Sequence, residues 1–238
     1  SLQLIFWSGG VAPAPLVKRL LGLGPRLLNA YGMTEATSNV TYTLFDSSAS
    51  DLSETVGVAA PDCEVRIIDG EGRVLPAGKD GEVCIRTDRL MIGYLNKDDA
   101  PREAIDQDGW LRTGDAGMVG EDGLLRLTGR KKEMFKSGGY NVYPREIEQV
   151  LEAVAGVRVA VVVAAPHPVF GESGVAYIIL APGANLSEDT LRDWCKENLA
   201  NYKIPKTFRV RDTLPALAIG KIDKVALKKD AEMAFSGT

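Results

Sequence analysis

Histidine is almost missing from this chain: His167 is the single one in 238 residues. The three cysteines (Cys63, Cys84 and Cys195) stand far apart, so neither a zinc set nor a disulfide framework is available. Thiols of this kind are expected to be buried or half-buried in a reducing compartment, which places the protein in the cytoplasm. No run approaches the ~18 consecutive apolar residues of a membrane-spanning helix. The opening residues from Ser1 to Trp7 carry no basic region or cleavage signal. Positive charge is also short: 28 Lys and Arg against 32 Asp and Glu leave a net charge of −4. A chain of this balance lacks the field that generic nucleic-acid binding relies on, and Arg130-Lys131-Lys132 is too brief to restore it. What remains, 45% hydrophobic and 25% charged residues, is the composition of a globular protein rather than a disordered or fibrous one.

The grammar of the chain changes twice. Leu2 to Trp7 reads as a strand ending at Ser8-Gly9-Gly10. A proline-led helix follows, with Leu16, Val17, Leu20 and Leu21 in it and Gly22 and Gly24 closing it. Strand, glycine turn and helix is α/β organisation. From Val56 to Thr128, short alternating segments (Glu64–Ile68, Glu82–Arg86, Gly117–Val119 and Leu124–Leu127) are divided by glycine- and aspartate-rich turns, which predicts a small antiparallel sheet or barrel. Beyond about residue 133, Pro144 opens a helix carrying Ile147, Val150, Leu151 and Val154. Val157–Ala164 and Val175–Leu180 read as strands, and Ser187 caps a further helix with Leu191, Trp194, Cys195 and Leu199 on one face. That stretch is expected to form an α+β unit of its own. His167 between prolines, the three tryptophans and the exposed Lys203 and Lys206 read as structural, and Glu146, Glu148 and Glu152 as the wet face of a helix.

Four segments carry chemistry. Tyr31-Gly32-Met33-Thr34-Glu35 follows a strand and offers an aromatic ring, a glycine for close approach, a hydroxyl for a phosphate oxygen and a carboxylate for Mg²⁺. Trp110-Leu111-Arg112-Thr113-Gly114-Asp115 ends a strand on a carboxylate able to accept both hydroxyls of a ribose, with Gly129-Arg130-Lys131-Lys132 beyond it. Ser137-Gly138-Gly139 lies in a loop whose bare backbone another molecule can approach. Lys221 follows a glycine in the loop from Leu214 to Asp223, within reach of a phosphate.

In order and type these four segments resemble the adenylate-forming superfamily: acyl- and aryl-CoA ligases, firefly-type luciferases and the adenylation domains of nonribosomal peptide synthetases. The resemblance implies an α/β plus α+β multidomain fold. Residues 1–131 would be the end of a large α/β domain, with an α/β segment to about 50 and a small β-barrel-like subdomain over about 51–131. Residues 132–238 would be a compact, mobile α+β C-terminal domain. It implies that Tyr31 packs on adenine with Gly32 beside it, Thr34 bonds the α-phosphate region and Glu35 binds Mg²⁺. Gly9 and Gly10 would line the acyl and adenine pockets, Asp115 would hold the ribose with help from Arg130, and Lys132 would be the domain hinge. Lys221 would bridge substrate carboxylate and α-phosphate, and Ser137, Gly138 and Gly139 would line the route of coenzyme A.

The activity so implied is ATP-dependent conversion of a carboxylic acid to acyl-AMP and then to an acyl-CoA thioester. The substrates are the acid, ATP and coenzyme A. Ser137 to Glu148 resembles the CoA-ligase branch most. An adenylation domain loading a carrier protein, or a nucleotide-binding module without catalysis, are the competing readings. The family's Thr/Ser/Gly-rich phosphate loop has no match here; Ser47-Ser48-Ala49-Ser50 lacks its glycines and lysine. The chain is therefore expected to be a C-terminal fragment that needs an N-terminal portion of the same enzyme and is inactive without it.

Overall fold

A computed structural model of the chain describes residues 2–95, 104–218 and 220–235. The chain divides into two compact units, Ser1–Lys131 and Lys132–Thr238. In the first, β1 (Leu4–Ser8), α1 (Ala14–Leu21) and β2 (Arg26–Gly32) make a parallel crossover, with β1 and β2 in register from Leu4↔Arg26 to Ser8↔Ala30. Pro15 sits in the first turn of α1, where its missing N–H costs nothing, and Val17 buries against Leu27 and Leu52. Two antiparallel strands, β3 (Asn39–Tyr42) and β4 (Val58–Ala59), complete the order β1-β2-β3-β4, so this sheet runs on past residue 50. Between them α2 (Ala49–Glu54) begins at a capping box. The Ser48 side chain accepts from the Asp51 N–H, and the Asp51 carboxylate accepts from the Ser48 N–H. The serine cluster is thus a helix cap.

The second sheet of this unit joins β5 (Cys63–Ile68), β6 (Gly81–Thr87), β7 (Leu111–Val119) and β8 (Leu125–Arg130) as an antiparallel meander. The barrel-like subdomain expected from the sequence is an open sheet: four strands are too few to close around their own side chains, and no further strand completes them among the described residues. Instead Val83, Ile85, Leu111 and Leu125 bury one face against Tyr31 and Val40 of the first sheet and Ala36 and Val56 from its connecting segments.

The second unit begins with the short pair β9 (Phe135–Ser137) and β10 (Tyr140–Val142), followed by α3 (Pro144–Glu152), β11 (Val157–His167) and β12 (Gly171–Leu180). Then come α4 (Glu188–Asn198), β13 (Thr207–Val210) and α5 (Lys224–Phe235). The strands run β10-β9-β12-β11, with β13 parallel to β12. Along β11, Ala160, Val162 and Ala164 enter a core with Ile147, Leu151, Leu191 and Cys195. Val161, Val163 and Ala165 enter another with Tyr177, Leu227 and Ala231. Cover on both faces explains why this strand is apolar at consecutive positions.

The wet face expected of α3 is wet only in part. Glu148 is 4% exposed, and its Oε1 accepts from the Val162 N–H on the outer edge of β11 at 3.0 Å. Glu146 pairs with Lys203 and Glu152 with Arg145. An edge strand leaves N–H groups that must find partners, and a helix lying along that edge supplies a carboxylate for one of them. Among the described residues no helix is long and apolar enough to cross a membrane.

Candidate functional site

Parallel strands β1 and β2 end side by side, and the segments that follow them carry the first group of candidates. Gly9 and Gly10 leave β1 with φ of 95° and 157°, and a Cβ on either would meet nothing within 4 Å, so the turn presents open backbone. Tyr31 and Gly32 are the last residues of β2. The close approach that Gly32 permits is to its own chain: a Cβ there would lie 2.3 Å from the Ser38 carbonyl oxygen and 2.4 Å from the Asn39 Cα. Thr34 and Glu35 then occupy a single 3₁₀ turn, Thr34–Ala36. Thr37 ends that turn at φ 67°, a left-handed conformation costly for a β-branched residue, and its hydroxyl bonds the Arg89 carbonyl oxygen at 2.5 Å.

Asp115 arrives from the other sheet. The sequence placed it at a strand end, but it stands inside β7, between two register shifts: one against β6 and one against β8 at Ala116/Gly117. Gly114 (φ 72°) allows the distortion, and the Thr113 hydroxyl accepts the Asp115 N–H at 3.0 Å while donating to the Val83 carbonyl. Bulges of this sort re-aim a side chain. Here the carboxylate turns to Tyr31, whose hydroxyl donates to Asp115 Oδ2 at 2.7 Å, and Arg130 Nε lies 3.1 Å from Oδ1. Tyr31 and Asp115 are 8% and 7% exposed. Burial, and then the adjacent Asp115 charge, hold the Tyr31 phenol far above the ordinary tyrosine range, so it stays a hydrogen-bond donor.

Three candidates separated by up to 99 positions therefore meet: a buried ring and a buried carboxylate, with the exposed Arg130 guanidinium paired to Asp115 across β7 and β8. A carboxylate braced from two sides is suited to accept a diol, and the ring beside it to cover a planar base. Tyr94, which the sequence gave no reason to select, donates its hydroxyl to Glu35 Oε1 at 2.8 Å. Glu35 belongs to no cluster of three or more metal-ligating side chains among the described residues. That donor set fits Mg²⁺, which binds through one or two carboxylates together with substrate phosphates and water.

The second unit holds the other candidates, all but the buried Ser137 at exposed turns. Gly138 and Gly139 (φ 58° and 88°) are the two central residues of the β9–β10 hairpin, in the type I′ geometry that needs positive φ at both. A Cβ on Gly139 would meet nothing within 4 Å. The Ser137 hydroxyl is buried and finds no hydrogen-bond partner among the described residues. An open glycine turn beside an orphaned donor suits a ligand carrying amides, as the pantetheine arm of coenzyme A does. Lys221 is exposed at a loop pinned by the Leu217 N–H on its carbonyl (2.7 Å) and by the Ala216↔Ile222 bridge. Ile219 of the same loop lies outside the described residues. Lys132 is exposed in the 3₁₀ turn Lys131–Glu133, at the boundary between the two units. His167 Nδ1 accepts the N–H groups of Val169 and Phe170, in keeping with a structural role.

Comparison with known proteins gives these positions a context. Residues 1–95 match the AMP-binding enzyme family, and residues 146–221 match the AMP-binding enzyme C-terminal domain. The chain belongs to the AMP-binding, adenylate-forming enzymes. Among such enzymes it is 38% identical, over 97% of its own length and 43% of the relative's, to 3-[(3aS,4S,7aS)-7a-methyl-1,5-dioxo-octahydro-1H-inden-4-yl]propanoyl:CoA ligase of Rhodococcus jostii. It is 36% identical to a long-chain-fatty-acid–CoA ligase of Escherichia coli, over 97% of this chain and 41% of that one. The structure of o-succinylbenzoate CoA synthetase from Bacillus subtilis with its acyl-adenylate intermediate superposes with a TM-score of 0.85 at 36% identity, covering 94% of this chain and 46% of the other. The chain thus spans less than half the length of the adenylate-forming relatives it matches.

Proposed function

We propose that the intact protein is an ATP-dependent acid–thiol ligase that makes an acyl-adenylate and passes the acyl group to coenzyme A, and that this chain supplies its adenosine cradle and mobile unit. The observation that carries the reading is the Tyr31–Asp115–Arg130 cluster, in which a buried hydroxyl–carboxylate pair joins two sheets and an exposed guanidinium braces the carboxylate. In this reading Asp115 accepts the ribose hydroxyls, Arg130 keeps that carboxylate oriented, and the Tyr31 ring covers adenine. Thr34 bonds the α-phosphate region, and Gly9 and Gly10 leave room for the base and the acyl chain. Mg²⁺ held on Glu35 would neutralise phosphate charge, with Tyr94 fixing the carboxylate oxygen not given to the ion.

In the first step a carboxylate oxygen of the acid attacks the α-phosphorus of ATP and pyrophosphate leaves with the electron pair of the broken P–O bond. Lys221, an ammonium on a pinned loop, bridges the attacking carboxylate and the α-phosphate, so its charge is worth most as the pentavalent centre forms. In the second step the thiolate of coenzyme A attacks the acyl carbon, the acyl–O bond breaks, and AMP leaves as the better leaving group. The Gly138–Gly139 turn, with Ser137 behind it, borders the thiol's route. Because the two steps need different groups at one place, Lys132 is assigned the hinge: an exposed residue between two compact units, whose backbone torsions change while its side chain stays in water. The three buried free cysteines favour a cytoplasmic location. The relatives act on acids as different as an indane propanoate and long-chain fatty acids, so the acid itself is left open.

The test is a coupled assay on the intact protein. Acid-dependent pyrophosphate release without coenzyme A, followed by thioester formation when it is added, is the expected result. Transfer of the acyl group, with release of AMP, only to a carrier-protein thiol would replace coenzyme A as acceptor, and nucleotide binding with no pyrophosphate release would refute the ligase reading.

A further inference from the structure

The loop that carries Lys221 does not end on Lys221. Its base is closed by the Asp223 N–H on the Pro215 carbonyl (2.8 Å), and Asp223 Oδ1 accepts the Ala226 N–H at 3.0 Å, capping α5. The next residue, Lys224, begins α5. Its Nζ lies 2.7 Å from Glu133 Oε2 and 3.1 Å from Glu148 Oε1, the same oxygen that accepts the Val162 N–H of β11. Arg145 approaches the other Glu148 oxygen at 3.5 Å. One ammonium therefore ties together three parts of the second unit. These are the helix start three residues beyond Lys221, the α3–β11 edge, and the segment directly after Lys132. Burial opposes the charge on Lys224, but the Glu148 and Glu133 carboxylates outweigh it and raise its pKa above that of an ordinary lysine. The lysine therefore stays charged throughout the neutral range.

Neither the adenylation step nor the thiol step uses Lys224, and its half-buried ammonium is engaged by the two carboxylates. A surface ion pair would be weak and replaceable, whereas a half-buried ammonium between two carboxylates, one of them locked to a strand edge, fixes direction. We propose that Lys224 is a positioning residue for Lys221, with Glu148 as its fixed anchor and Glu133 as its link to the hinge segment. This rests on the assignment of Lys221 to acyl-adenylate formation. The cluster holds the 214–223 loop in the pose from which Lys221 reaches the reacting phosphate, and it plays no part in the attack of the thiol.

The test uses the intact protein with whichever acid, from a panel of fatty and aryl acids, gives the fastest pyrophosphate release. Lys224→Gln should lower kcat for pyrophosphate release about tenfold, since misplacement by ~1 Å is enough to cost one to two orders of magnitude. The KM for ATP should stay within about threefold, as should thioester formation from preformed acyl-adenylate. Lys224→Arg, which keeps the charge and the reach, should recover most of the lost rate. In a Lys221→Ala background, Lys224→Gln should add almost nothing to the loss in the first step, because the two act as one unit. Equal losses in both half-reactions, or a full additional loss in the Lys221→Ala background, would make Lys224 a purely structural residue and overturn the proposal. If Lys224→Gln does not fold, Glu133→Gln on the more open side of the cluster carries the same test, with a loss of about threefold confined to the first step. A Lys221→Ala enzyme that releases pyrophosphate at the wild-type rate would instead remove the adenylation reading itself.

Discussion

The two units solve opposite problems. In the first, Tyr31 and Asp115 are buried, paired with each other and backed by two sheets; Asp115 is held by Thr113, Tyr31 and Arg130 before any ligand arrives. In the second, Lys221, Lys132 and the Gly138–Gly139 turn stand exposed at loop ends, while Ser137 and Glu148 are buried in the structure that supports them. In the function proposed above, the first holds a ligand still and the second presents groups in turn. Preorganisation lowers the cost of binding, while exposed groups on short, well-tethered turns can be brought up and withdrawn.

That contrast predicts how variants should divide. The largest effect belongs to Lys221→Ala in the intact protein: pyrophosphate release should fall ~10²–10³-fold, as for loss of one preorganised charge, with thioester formation from preformed acyl-adenylate nearly unchanged. Comparable losses in both steps would erase the distinction between presenting and holding. Next, Asp115→Ala should weaken AMP binding by roughly ten- to a hundredfold, the scale of a hydrogen bond to a charged group, measured by calorimetry; an unchanged affinity would remove Asp115 from the cradle. Gly32→Ala should lower stability by about 1–3 kcal/mol or more, because its methyl would collide with the Ser38–Asn39 backbone rather than with ligand. AMP affinity in the fraction that stays folded should hardly change. The smallest effect is the pH dependence of the second unit. Lys224 has a raised pKa in the folded state, so its contribution is complete below the unfolded value of ~10.4 and is lost as pH rises through the folded one. The stability difference between wild type and Lys224→Gln should be flat from pH 7 to about 10 and shrink above that; shrinkage on the acid side of pH 8 would contradict the cluster.

Local pattern carried the parts of the fold whose causes are local. The β1–α1–β2 crossover, the strands from Cys63 to Arg130 and the helices opened by Pro144 and Ser187 follow from spacing, turn residues and caps in neighbouring sequence. What escaped depends on distant partners. Glu148 reads as an ordinary helix-surface acid because the lysine that meets it is 76 positions away. Tyr94 bonds Glu35 across 59 positions, and nothing beside it marks that role. Asp115 was placed at a strand end because Gly114 looks like a stop, whereas the glycine serves a bulge that lets β7 continue to Val119. The β9–β10 hairpin was read as a loop since three-residue strands are too short to show alternation, although Gly138-Gly139 is itself a type I′ signal. The orphaned Ser137 hydroxyl could be found only with coordinates.

The central claim is that adenosine is held where Tyr31, Asp115 and Arg130 meet. A crystal structure of the intact protein with a non-hydrolysable acyl-sulfamoyl-adenosine tests it directly. The account predicts both ribose hydroxyls within hydrogen-bond distance of the Asp115 carboxylate and the adenine against the Tyr31 ring. An adenosine bound elsewhere, with the Tyr31–Asp115–Arg130 cluster closed and dry, would contradict it.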